Sequence, residues 1–317
     1  MNLDRVLSLL VTLVCLVIFV PVFWVAEVSA QSLPAGVLFV GENQGHSDIY
    51  LWQPVLNGES GYITPLTVTS EKEGNARWWN HKEVILASRE LSGNRYGIIA
   101  IDSNLETIWK YEDPTGSLGW PVPSPWDDRI LCVRALGNGF VQPGMITYPD
   151  GNFEPFDFNG LQGGQLAWLA PDKIQLSRVT PSGFVITQRE LSTGEEKIIV
   201  SGGNNWQSFV NLPARQNLFV RRVGQIGSIF RLFQDENQVW DYENVTNART
   251  YDWQPSTSED GRTLIYRSLR GGRFQTIIRD LETGKEKLLN ITGFSKIFFP
   301  MIVEPEVVQK LLSSVKK

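Results

Sequence analysis

The sequence predicts an all-β chain: one six-bladed β-propeller of four-stranded antiparallel blades, its ring closed by a C-terminal strand. Three observations predict it. The 317 residues include 28 Gly, 17 Pro and 11 Trp, a mix that favours short strands and tight turns over helices. The stretch Tyr251–Leu289 reads as four strands broken by turns at Asp260-Gly261, Gly271-Gly272 and Thr283-Gly284. Each glycine there supplies the positive φ of a tight hairpin turn, and four such strands make one propeller blade. The same unit recurs along the chain. The first apolar residue of its second strand falls at Val37, Val84, Ile130, Ile174, Leu218 and Leu264, in steps of 44–47 residues, and repetition at that period is the signature of blades.

Arg5 precedes an uncharged apolar stretch over residues 6–26, and Val28-Ser29-Ala30 fits the small-residue pattern before a signal-peptidase cut that would leave Gln31 first. The stretch is also long enough to span a bilayer as a retained anchor helix. Residues 1–30 are therefore expected to be a signal peptide or membrane anchor, with membrane contact only through residues 6–26 if uncleaved. Residues 31–305 are expected to be the propeller. Either fate of the leader places it outside the cytoplasm: periplasmic, secreted, or held at the outer face of the cytoplasmic membrane.

First strands are expected at Asn75–Trp79, Gly119–Pro123, Gln165–Leu169, Asn205–Val210 and Thr250–Gln254. That makes five for six second strands. None precedes Val37, but Ile297–Val303 has first-strand character and follows the last blade. It is expected to complete blade one, which removes the open edge through which sheets aggregate. In the last blade, Leu264, Tyr266 and Ser268 alternate with Ile265, Arg267 and Leu269. The tail, residues 306–317, carries Val307, Val308, Leu311, Leu312 and Val315 at helical spacing and reads as a short helix that caps one face of the ring or frays, the alternative being an amphipathic helix for a partner.

The repeat resembles the TolB-like propeller repeat, which runs roughly Pro-x-Trp-Ser-Pro-Asp-Gly, an apolar strand, Gly and Ile-Tyr, then Thr-Gly-Glu. Pro255, Ser258, Asp260, Gly261, Leu264, Tyr266, Thr283 and Gly284 match it in blade six. Gly45, Asp48, Ile49 and Tyr50 match in blade one, Pro121, Ser124 and Pro125 in blade three, and Pro171, Asp172, Thr193 and Gly194 in blade four. Blades two and five keep Trp79 and Pro213, but Asn80-His81 and Ala214-Arg215 replace the turn. The resemblance covers about residues 36–303. It implies the scaffold and not the Tol-system role, because the α/β domain that precedes the propeller in TolB has no room here. Fold alone does not fix function.

Chemistry is sparse. Net charge is −5 with no long run of either sign, so the electrostatic footprint of a nucleic-acid binder is absent. Cys15 lies in the leader, so if the leader is removed Cys132 remains alone and no intramolecular disulfide can form. His46 and His81 fall on loops expected at opposite faces, so they are not expected to share a metal. No Gly-x-Ser-x-Gly elbow occurs, Gly160–Gly164 reads as a blade-to-blade loop rather than a phosphate loop, and EF-hand spacing is missing. The sequons Asn244-Val245-Thr246 and Asn290-Ile291-Thr292 read as ordinary loops. No cofactor, metal or catalytic residue is assigned.

The channel is the more informative place. First strands line it, and the loops entering them form one rim. The candidate binding residues there are Asn75, Arg77, Trp120, Gln165, Asn205, Trp206, Tyr251 and Asp252. Aromatic faces and amides suit a peptide, loop or sugar. The alternative is that the tryptophans, with Trp79, Trp168 and Trp253, pack between blades while the polar groups hold channel water. The favoured function is a non-enzymatic extracytoplasmic scaffold for a protein or cell-envelope ligand. The rival is a channel enzyme, lactonase-like with a metal or glycan-cleaving.

Overall fold

A computed structural model describes residues 33–55, 61–136, 141–157 and 165–315. The leader assigned to residues 1–30 and the Gly160–Gly164 loop lie outside them. The described residues form six four-stranded antiparallel sheets, each one blade. From the inside outwards, blade 2 runs Glu73–Trp79, Val84–Glu90, Tyr96–Ile101 and Thr107–Tyr111, and blade 6 runs Asp252–Thr257, Thr263–Arg270, Arg273–Asp280 and Glu286–Leu289. The inner strands of blades 3, 4 and 5 are Leu118–Pro123, Leu166–Ala170 and Asn204–Asn211.

Blade 1 takes its inner strand from the far end of the chain. Lys296–Val303 pairs antiparallel with Gly36–Asn43, matching Gly36 to Val303, Val37 to Ile302 and Glu42 to Lys296. Ser295 N donates to Glu42 O at 2.8 Å and Lys296 Nζ meets Glu42 Oε1 at 2.9 Å. The expected closure is therefore present. Its cause is elementary: a ring of sheets with one strand missing would leave a row of backbone donors and acceptors unpaired.

The second strands depart from simple alternation. Val37, Leu38, Phe39 and Val40 are all fully buried, as are Leu264, Ile265 and Tyr266, and Arg267 and Ser268 are nearly so. Each blade packs face to face on its neighbours, so both faces of a middle strand are covered and a continuous apolar run replaces the period of two. Outer strands keep exposed faces, as in Thr107–Tyr111.

Two blade junctions share a polar pin. Thr67 Oγ accepts the Ile49 N–H at 2.9 Å and donates to the Glu73 carboxylate that opens the inner strand of blade 2. Thr246 accepts the Ile229 N–H at 3.1 Å and donates to Asp252, which opens the inner strand of blade 6. Asn244-Val245-Thr246, which reads as an ordinary loop in sequence, thus holds two blades together.

The chain ends in one helix, α1 (Pro305–Val315). Proline at its first position loses no hydrogen bond there and presets φ. Val308 and Leu311 are buried against Leu38, Leu51, Trp78 and Ile85 of blades 1 and 2. Lys310 pairs with Glu83 in the first turn of blade 2.

Candidate functional site

The inner strands carry a repeated distortion. In blades 2, 3, 5 and 6 the ladder slips between Gly74 and Arg77, Gly119 and Val122, Trp206 and Phe209, and Trp253 and Ser256. Blade 1 slips opposite Leu38 and Val40. Each bulge holds one non-glycine residue at positive φ: Asn75 (53°), Trp120 (53°), Gln207 (58°), Gln254 (53°) and Phe299 (49°). Such φ values are uncommon for bulky side chains, and a bulge bends the strand and re-aims its side chains. Two of the amides explain how the conformation is held. Gln254 N donates to Gln207 Oε1 at 2.8 Å, and Phe299 N donates to Gln254 Oε1 at 2.9 Å. The bulges of blades 5 and 6 thereby each satisfy an N–H of the next blade.

Beyond the bulges the channel widens into a cavity of about 280 Å3, to which all six blades contribute. Its walls are mainly apolar: Trp78, Val122, Trp168, Phe209 and Met301, with Val307 from α1. Glu259 and Glu304 stand at its mouth, joined by a hydrogen bond from Glu259 N to Glu304 Oε1 of 3.1 Å. Behind it the channel narrows to two voids of about 10 Å3 each, walled by Trp120, Gln165 and Phe299 among others. That is room for a single water.

Arg77 borders all three spaces. No hydrogen bond or ion pair engages its guanidinium among the described residues, and burial alone pushes its pKa down to about 10. It therefore stays charged at neutral pH. The narrow voids are lined by no carboxylate; their polar side chains are Asn75, Gln165, Ser208 and Gln254. Two polar atoms bordering the channel also lack partners: Asn75 Oδ1 and Ser256 Oγ.

The eight residues named from sequence divide into two groups. Asn75, Arg77, Trp120 and Gln165 come together at the throat. Asn205, Trp206, Tyr251 and Asp252 do not border it. Asn205 is fully buried and its amide donates to Phe184 O and Gly202 O at 3.2 and 3.1 Å. Trp206, Tyr251 and Trp253 form a row of rings 6.2–6.3 Å apart. Burial raises the Asp252 carboxyl above its ordinary value despite hydrogen bonds from Ser268 and Thr246. The funnel walls at the exit ends of the inner strands were not singled out in sequence. Trp79 and Trp168 do pack between blades: their indole N–H groups donate to Ser124 O at 2.7 Å and Val122 O at 3.1 Å. His46 is exposed at the start of the strand His46–Pro54, whereas His81 Nε2 lies 3.2 Å from Asp128 Oδ1. No group of three or more potential metal ligands gathers among the described residues.

No family model matches the chain, and no curated protein matches it. Solved structures do. TolB from Acinetobacter baumannii superposes with a TM-score of 0.66 at 15% identity, over 84% of this chain and 66% of that one. The fold is that of a TolB-like six-bladed β-propeller. The chain spans just under two thirds of that TolB. A chain of a nidogen/laminin complex matches with a TM-score of 0.63 at 11% identity, over 85% of this chain and 98% of that one. An oligogalacturonate lyase in complex with manganese matches with a TM-score of 0.55 at 10% identity, over 80% and 73%. At these identities the likeness is one of fold. A chain of a protein complex and a lyase thus share it.

Proposed function

We propose that this TolB-like propeller is an extracytoplasmic binding scaffold that receives a protein or cell-envelope component in its funnel. One observation carries the reading: a cavity walled by side chains from all six blades, mostly apolar, with a few polar groups at fixed depths. That composition is typical of sites that bind rather than merely hold water. The uncharged N-terminal stretch over residues 6–26 supports export. The solved neighbours include TolB and a nidogen/laminin complex, which accords with a protein partner.

Site-specific photocrosslinking in the native envelope tests this. A benzophenone side chain at the exposed mouth residue Asn80 should give defined adducts, and one at Lys197 on the outer strand of blade 4 should give none. Equal labelling from both positions, or from neither, would overturn the funnel as the binding face.

A further inference from the structure

We infer that the funnel captures the C-terminus of a partner polypeptide, with the terminal carboxylate on Arg77 and apolar final side chains against the walls. The inference rests on the binding reading above and names the ligand chemistry for the same cavity.

The shape excludes a passing chain. Among the described residues the cavity of about 280 Å3 narrows into voids of about 10 Å3, too small to pass a polypeptide. The charge decides which end. Arg77 is a half-buried cation that borders the cavity and has no hydrogen bond or ion pair among the described residues. A carboxylate fits its planar fork with two parallel hydrogen bonds, whereas an N-terminal ammonium would be repelled. The polar side chains among the apolar walls, Ser208, Asn211 and Thr257, point to a peptide rather than a hydrocarbon chain, because backbone amides supply both donors and acceptors where an alkyl chain supplies neither. Glu259 and Glu304 at the mouth favour basic residues a few positions upstream of the captured end.

The test uses fluorescein-labelled hexapeptides randomised in their last three positions, prepared with free-acid or amidated C-termini, against the propeller-containing protein. Wild type should retain a subset of the free-acid peptides rich in apolar final residues. Their amidated counterparts should bind at least ten-fold more weakly. Arg77→Met should lose that preference and Arg77→Lys should keep part of it. Because Arg77 has no partner, Arg77→Met should melt no lower than wild type, which separates lost binding from lost folding. Equal retention of acids and amides, full binding by Arg77→Met, or no retained peptide would each overturn the inference. So would a clear fall in the melting temperature of Arg77→Met, which would mark the arginine as structural. Dodecanoate provides the remaining arm: Arg77-dependent binding of that fatty acid without peptide binding would replace the polypeptide terminus by a lipid anion. Adducts from Asn80 without any acid preference would leave the scaffold reading intact and remove only this one.

Discussion

At the scale of single residues, burial and hydrogen bonding set two outcomes that can be measured. Cys132 is fully buried in the second strand of blade 3. Burial, and secondarily the charge of Asp113, pushes its thiol well above the usual range. Since the thiolate is the reactive form, Cys132 should resist alkylation in the native protein, and its labelling rate in denaturant should follow global unfolding. Labelling at the rate of an exposed thiol would show that blade 3 opens locally. Glu286 behaves oppositely. Burial alone would raise its carboxyl, but Tyr266 donates to it at 2.6 Å, Arg270 at 2.7 Å and Arg279 at 2.8 Å, and together they hold it below 4.5. A carboxylate depressed on folding contributes stability above its unfolded pKa and loses it as pH falls through the folded one. Thermal melts of wild type should therefore weaken below about pH 4.5, and Glu286→Gln should flatten that limb. The cluster is partly exposed, so the difference should be no more than about 1 kcal/mol. Identical acid limbs would show that the network adds nothing.

At the scale of strands and turns, glycine signals were readable and bulges were not. Gly284 sits at φ 70° and donates its N–H to Asp280 O at 2.9 Å. A Cβ there would lie 3.3 Å from Arg279 Nη2. Gly284→Val should destabilise the protein by about 1–3 kcal/mol in denaturant melts, because a β-branched residue resists this conformation. Gly284→Asn should cost less, since asparagine tolerates positive φ. Equal costs would implicate crowding against Arg279 instead of backbone strain. Five of the six inner-strand register shifts carry Asn, Trp, Gln or Phe at positive φ rather than Gly, so no turn residue announced them. One extra residue per strand is also invisible to an apolar pattern. What the sequence did offer was a column: Asn75, Trp120 and Gln165 recur every 45 residues, and that column lies at the throat. The funnel walls were missed for a related reason. Phe209, Val122 and Met301 look like ordinary core residues, and only the bend at each bulge gives them a cavity to face.

At the scale of the whole ring, the shortage of one first strand was enough to locate the closure, because six second strands require six partners. The same logic ranks two truncations. Removing Pro305–Lys317 takes away α1 and exposes the apolar surface that Val308 and Leu311 cover. Two buried aliphatic side chains at about 1.5–3 kcal/mol each give a loss of about 3–6 kcal/mol. That shortened protein should melt at a lower temperature but still in one cooperative transition, since all six sheets keep four strands. Removing residues from Lys296 onward takes the inner strand of blade 1 as well. It strips the backbone partners from Gly36–Asn43 and uncovers Val37, Leu38 and Val40. It also leaves an edge open to pairing with other chains. Loss of the cooperative transition, with concentration-dependent aggregation, is the expected result by calorimetry and light scattering. If the two truncations melted alike, the strand would contribute nothing beyond the helix that follows it. The six blades would then be held by their face-to-face packing alone.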